Sequence, residues 1–113
     1  MSVLETLSDE RDFRAEVART LKALIAQIDE IESDALDARA SEGNVAVTFE
    51  RGGTFVLSQQ TPTRELWLSA NLRAWHFRYA HGAWTERDTG EPLHDLLSKL
   101  FSDKLSLNIQ FHA

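Results

Sequence analysis

Apolar residues recur every three or four positions through the first part of the chain. Between Asp9 and Ile31 they are Phe13, Val17, Leu21, Leu24, Ile25, Ile28 and Ile31. This spacing places them on one face of a helix, so it predicts a long amphipathic helix over residues 9–31. Ser8, which precedes two acids, is the predicted N-cap, and Ser2 with Glu5 three residues later is a second candidate for the start of the helix.

The pattern then changes to alternation of apolar and polar residues, which has the period of a half-buried strand. Alternating runs occur at 36–40, 45–50, 54–58, 65–69, 75–79 and 83–87. Gly43-Asn44 and Gly52-Gly53 are typical of tight hairpin turns between the first three runs. Pro62 fixes its own φ angle and favours a turn before the fourth run. The sequence therefore predicts an antiparallel meander of five or six strands.

A second helix is predicted after the strands, with Pro92 at its first position. Its inner face carries Leu93, Leu96, Leu97, Leu100 and Leu105. We interpret residues 71–74 as a connection between strands, and residues 106–113 as an extended tail over a seam between the helices. The order helix, strands, helix predicts an α+β fold, a two-layer α-β sandwich with two helices on one face of a five- to six-stranded antiparallel sheet. We expect one domain over residues 1–113.

One short stretch, residues 59–69, presents a large aromatic side chain on the opposite face. If Leu66 and Leu68 point under the helices, alternation directs Trp67 away from the core, and alternation along the next run places His76 and Arg78 on the same outer face. A tryptophan at such a position is either covered by a neighbouring arginine stem or belongs to a binding surface, where tryptophan is over-represented.

The composition, net charge and cysteine count of the chain narrow the classes of function that fit it. The 113 residues include 18 acids and 12 Lys and Arg, which gives a net charge of −6 and argues against nucleic acid as the partner. The absence of cysteine excludes disulfides, thiolate metal sites and a cysteine nucleophile. No apolar run approaches the roughly 20 residues of a membrane span, and the first seven residues resemble no secretory or transit signal. A soluble protein without a membrane partner is expected.

Five carboxylates lie within nine residues near the predicted end of the first helix, with no Lys or Arg among them. They are Asp29, Glu30, Glu32, Asp34 and Asp37. Acids at a helix C-terminus oppose the helix dipole and repel one another, and a cation relieves both effects. Exposed carboxylates suit hard ions or weakly held iron. A solvated acidic face is the alternative. No catalytic motif accompanies the cluster, so no catalytic residues are predicted.

Several local sequences spread over nearly the whole chain form a distinctive set. They are the acid cluster, Gln60-Thr61-Pro62, Trp67-Leu68-Ser69, Trp75-His76-Phe77, Gly82-x-Trp84, and Thr89-Gly90-Glu91 leading into Leu93-His94-Asp95-Leu96-Leu97. Together they resemble the frataxin family. The resemblance implies an iron-binding protein of iron-sulfur cluster assembly, which docks on the complex of cysteine desulfurase and scaffold protein and regulates cluster formation, as an iron donor or sensor. Iron, as Fe2+ or Fe3+, is then weakly bound by Asp29, Glu30, Glu32, Asp34 and Asp37. The implied partner contacts are Ser58, Gln60, Trp67 and His76.

The same resemblance implies a monomer that can oligomerise with iron. Its compartment is the bacterial cytoplasm, or the mitochondrial matrix if a transit peptide has been removed. Two other functions stay open at this point. One is a ferroxidase that oxidises Fe2+ at the same carboxylates, and the other is an acidic protein-interaction domain that binds no metal.

Overall fold

A computed structural model describes residues 9–113, which form two helices and a six-stranded sheet. In chain order the elements are α1 (Glu10–Asp29), β1 (Leu36–Ser41), β2 (Asn44–Phe49), β3 (Thr54–Gln60), β4 (Glu65–Ala70), β5 (Arg73–Ala80), β6 (Ala83–Glu86) and α2 (Leu93–Leu105). Each strand pairs antiparallel with the next, so the sheet order is the chain order. The predicted two-layer α+β fold is confirmed, with six strands.

Helix α1 starts one residue later than predicted. Its N-cap is Asp9, whose carboxylate accepts the backbone N–H groups of Arg11 at 2.7 Å and Asp12 at 3.4 Å. Ser8, Ser2 and Glu5, the predicted candidates for this role, lie outside the described residues. An aspartate cap satisfies free N–H groups and also opposes the positive end of the helix dipole.

The helix ends at Asp29, two residues before the predicted end at Ile31. Glu30 is the C-cap, and Glu32 takes the left-handed conformation with φ of 50°. Glycine normally marks such a position. Because glutamate stands there instead, the end of the helix carries no local sequence signal.

The turn between β4 and β5 is shorter than predicted. Only Asn71 and Leu72 connect the strands, with φ of 51° and 63°, and β5 begins at Arg73. The prediction of a connection over 71–74 is therefore wrong in its second half. Two consecutive positive φ angles are typical of the tight hairpin turns that match strand twist.

The core lies between the inner sheet face and the two helices. Aromatic rings join the layers: Phe13 of α1 packs edge-on against Trp84 of β6, and Phe101 of α2 packs against Phe49 of β2. All five residues of the predicted inner face of α2 lie in or against this core, although Pro92 is the N-cap rather than the first helical residue.

The tail after α2 lies against both helices, as predicted. Phe111 is buried and packs on Phe101, and its N–H group donates to Ser98 Oγ at 2.8 Å. The amide of Gln27 on α1 exchanges hydrogen bonds with the N–H and C=O groups of His112. The tail therefore closes the seam between α1 and α2.

Each edge strand of the sheet has a feature that limits pairing with a further strand. The edge strand β1 carries an exposed ion pair, Asp37 with Arg39 at 3.1 Å. The other edge strand, β6, has four residues, and Thr85 on it forms an isolated bridge with Pro92.

Candidate docking face and acidic ridge

The turn between β3 and β4 sets the direction in which β4 presents its side chains. Thr61–Thr63 form one 3-10 turn around Pro62, and Arg64 follows in the left-handed conformation. Strand β4 then starts at Glu65, with Leu66 and Leu68 buried on the inner face. Trp67 consequently lies on the outer face, which confirms the predicted alternation.

The Trp67 side chain is partly exposed and held in a fixed position. Its exposed fraction is 36%, and its Nε1–H donates to Glu65 Oε1 at 3.0 Å. The His76 ring packs edge-on against the indole, with 4.8 Å between ring centroids. Both contacting residues, Glu65 and His76, belong to the sheet itself. The indole is therefore a rigid apolar surface.

The four predicted partner contacts lie together on the outer face. Ser58, Trp67 and His76 are opposite one another on β3, β4 and β5 and form one row across the sheet. Gln60 lies two residues along β3 and donates to Ser58 Oγ at 3.3 Å. We call Ser58, Gln60, Trp67 and His76 the docking face.

A buried carboxylate organises this face, and the sequence analysis missed it. Glu65 is fully buried although it is on the outer face. Besides the indole N–H, it accepts Arg78 Nε at 2.9 Å and Arg87 Nη1 at 3.3 Å. Strand register pairs Glu65 directly with Arg78, so a correct count of the β4–β5 turn is the sequence signal that could have found this ion pair.

The environment of Glu65 favours its charged form. Burial alone raises the pKa of Glu65, but the hydrogen bonds from Trp67 and Arg78 and the charge of Arg87 outweigh burial. The pKa of this carboxyl group therefore lies below its ordinary value. Glu65 is a permanent anion at neutral pH that fixes an indole and two guanidinium groups.

A second buried carboxylate, Glu86, fixes the backbone beside the docking face. Its Oε2 accepts the N–H of His76 at 3.0 Å, and its Oε1 accepts the N–H groups of Asp88 at 2.7 Å and Thr89 at 3.0 Å. Burial raises the pKa of Glu86, but these three backbone donors lower it below the ordinary value. The turn that carries Arg87 is therefore held against β5.

The five acids of the predicted cluster follow one another around the end of α1 and the start of β1. All five are exposed. They are Asp29, the last residue of α1; Glu30, its C-cap; Glu32 and Asp34 in the connection; and Asp37 on β1. We call these five residues the acidic ridge. The last turn of α1 contains no basic residue, so no basic side chain on that turn compensates the helix dipole or Asp29.

The acidic ridge is not a preassembled metal centre. Within residues 9–113, no three acidic or histidine side chains are grouped so that they could hold a metal ion. Asp37 is also paired with Arg39. Exposed, separate carboxylates have the chemistry for loose, hydrated binding of a hard cation as cargo, and they lack the closed ligand set of a tight site.

Neither helix of the described chain is both long and apolar enough to cross a lipid bilayer.

Comparison with known proteins identifies relatives of this chain. A bacterial protein of Ralstonia nicotianae named "Iron-sulfur cluster assembly protein CyaY" is 31% identical over 100 residues, which cover 88% of this chain and 87% of the relative. The frataxin of Psychromonas ingrahamii has the same fold, with a TM-score of 0.86 at 17% identity over 93% of this chain and 99% of the other.

A trimeric frataxin from the yeast Saccharomyces cerevisiae, complexed with ferrous iron, has a TM-score of 0.73 at 24% identity, and the match covers 91% of each chain. The family described as "Frataxin-like domain" matches residues 6–107. The chain therefore belongs to the frataxin-like family.

Proposed function

We propose that this chain takes part in iron-sulfur cluster assembly by binding to the assembly machinery. In this proposal the docking face contacts the complex of cysteine desulfurase and scaffold protein, and the contact regulates cluster formation. Relatives of this chain are named for cluster assembly, which supports the general role. They are bacterial, so we propose a cytoplasmic protein.

The observation that carries the proposal is the state of Trp67. A tryptophan that is about one third exposed and hydrogen-bonded to a buried carboxylate has already lost much of its side-chain freedom. Binding through such a side chain costs little further entropy, and tryptophan is the residue most often found to dominate interface energetics. The buried neighbour Glu65 thus makes Trp67 a suitable anchor.

The acidic ridge supplies a second contact in the proposal. Its carboxylates attract cations, so it fits weakly bound iron and a basic groove of the desulfurase. A yeast relative of the same fold is complexed with ferrous iron. We propose that the free chain is a monomer and that iron at the ridge favours association between copies.

Replacing Trp67 by Ala tests the docking face. We expect affinity for the desulfurase and scaffold complex to fall by about 2 kcal/mol or more, or roughly 30-fold. The measurement is biolayer interferometry with the immobilised complex. Replacing the exposed Leu107, which lies after α2 and away from the sheet face, by Ala is the control and should leave affinity unchanged. Equal affinity of the Trp67→Ala variant and the wild type would refute docking through this face.

An iron titration tests the ridge. Adding Fe2+ without oxygen should shift or broaden NMR signals of the ridge residues first, and a variant with Asp29→Asn, Glu30→Gln and Glu32→Gln should lose this response. Unchanged spectra would refute iron binding and indicate an acidic interaction domain that binds no metal. With oxygen present, O2 consumption that depends on the same three acids would indicate ferroxidase activity instead of binding alone.

A further inference from the structure

The outer sheet face has an unusual charge distribution for this acidic protein. The net charge of the chain is −6, yet on strands β2 to β6 the only carboxylate at an outward position is the fully buried Glu65. The only exposed side chain with a permanent charge at those outward positions is Arg78, whose exposed fraction is 62%. Over strands β2 to β6 this face therefore presents positive charge and no exposed negative charge, and on the edge strand β1 the exposed Asp37 and Arg39 pair with each other.

Arg78 lies beside Trp67 because both bind the same carboxylate. The indole N–H of Trp67 donates to Glu65 Oε1, and Arg78 Nε donates to Oε2. A guanidinium group has five N–H donors, and the bond to Glu65 uses one of them. Arg78 therefore keeps the capacity to bind a second carboxylate in the forked geometry that arginine favours.

Arg87 differs from Arg78 in its surroundings. It shares Glu65 with Arg78, and its Nε also lies 3.7 Å from the carboxylate of Asp88. Two acids thus balance Arg87, while Arg78 has only its share of the buried one. The unbalanced positive charge of the cluster lies at Arg78.

We infer that the partner surface that receives Trp67 carries a carboxylate, which pairs with Arg78, next to an apolar area that covers the indole. This inference rests on the proposed docking function and adds the chemistry of the partner. The acidic ridge selects a basic surface, whereas the patch of Trp67, His76 and Arg78 selects an acidic and apolar one. The two surfaces cannot exchange partners, so together they define one orientation of the chain in the complex.

Charge reversal at Arg78 tests the inference. Binding of the Arg78→Glu and Arg78→Gln variants to the cysteine desulfurase and scaffold complex of the same organism is measured at about 0.1 M and about 1 M salt, where the Debye length falls from about 10 Å to about 3 Å. We expect Arg78→Glu to lower affinity roughly tenfold or more at low salt, Arg78→Gln to lower it less, and both effects to shrink at high salt.

The control is Arg14→Glu, which makes the same change of net charge on the helix layer. Arg14 is half exposed and paired with Glu10 on α1, so its reversal should change affinity by less than about twofold. Circular dichroism and thermal unfolding check that each variant is folded. Arg78→Gln introduces no second negative charge next to Glu65. It replaces Arg78→Glu as the test variant if Arg78→Glu does not fold.

Chemical coupling identifies the partner group. The Arg78→Lys variant places a primary amine on the outer sheet face next to the docking face. A carbodiimide activates carboxylates so that an amine displaces the activating group and forms an amide. We expect coupling of the introduced amine to an Asp or Glu of the partner, located by mass spectrometry of the cross-linked peptides.

The outcomes separate the two proposals. If the wild type does not bind the complex, or if Trp67→Ala binds as tightly as the wild type, docking through this face is wrong and the inference fails with it. If Trp67→Ala weakens binding but Arg78→Glu behaves like Arg14→Glu and no coupling occurs, docking stands and the partner carboxylate is refuted.

Discussion

Replacing Glu65 by Gln removes one negative charge from the outer face and changes little else. The side chain keeps its size, and its remaining oxygen can still accept the indole N–H of Trp67. The charge that holds Arg78 and Arg87 together is lost. The two guanidinium groups then repel each other, and one of them faces the amide N–H2 group.

The expected loss of stability follows from the contacts of Glu65 with Arg78 and Arg87. A hydrogen bond to a charged group contributes about 1.5–3 kcal/mol when buried. The Arg78 side chain is 62% exposed and the Arg87 side chain 35% exposed, so solvent screening reduces both contributions towards those of surface pairs. We expect a loss of about 1–2 kcal/mol in the free energy of unfolding at pH 7. For a domain of this size this lowers Tm by about 4–8 °C.

The assay is urea unfolding of both proteins, followed by circular dichroism at a series of pH values. Because the pKa of Glu65 is lower in the folded state than in the unfolded state, its stabilising effect is complete above the unfolded value of about 4.3. The effect is lost as pH falls through the lower folded pKa. The difference between wild type and variant should therefore be constant at neutral pH and narrow below about pH 4.

The control is Glu42→Gln, which removes the same charge from an exposed position in the β1–β2 turn. It should change stability by less than about 0.5 kcal/mol. Equal stability of wild type and Glu65→Gln at pH 7 would refute the role of the buried charge. A difference that persisted unchanged in acid would show that packing, not charge, is responsible.

Two further predictions concern the backbone around the docking face. Replacing Glu86 by Gln leaves one acceptor oxygen where two now accept N–H groups, from His76 on one side and from Asp88 and Thr89 on the other, because an amide nitrogen cannot accept a hydrogen bond. At least one of these donors then loses its partner, so we expect a loss of about 2 kcal/mol in urea unfolding, and unchanged stability would contradict the assignment. Replacing Leu72 by Gly relieves a positive φ angle at a side chain that is fully exposed and so contributes no packing. We expect thermal unfolding to show a gain of up to about 1 kcal/mol, and a lower Tm would show that the leucine makes a contact in the folded state.

The hydrophobic pattern predicted the elements of the fold because each element has one buried face. Helix α1, the six strands and helix α2 follow from periods of 3.6 and 2, which are local properties of the sequence. The direction of Trp67 followed from the same alternation. Alternation also placed His76 on that face, while the grouping with Ser58 and Gln60 came from the family resemblance. Strand register places Ser58, Trp67 and His76 side by side.

The buried charge cluster could not be predicted in the same way, because its members meet across the sheet. Alternation placed Glu65 outward, where most acids are solvated. Its pairing with Arg78 depends on the length of the β4–β5 turn, and Leu72 stands where glycine would have marked that turn. Arg87 lies 22 residues from Glu65 and reaches it through a turn fixed by Glu86.

The edges of the sheet have a consequence for how copies of this protein can associate. An open strand edge is a template on which another chain can add a strand. Here the outermost strand on one side carries charges of both signs, Asp37 and Arg39, and the other outermost strand is four residues long and is bridged by Pro92, which has no N–H to donate. Neither side offers a long apolar ladder for continuous extension. Copies that associate in solution are therefore expected to contact one another through side chains on faces and ridges, and not by continuous addition of strands.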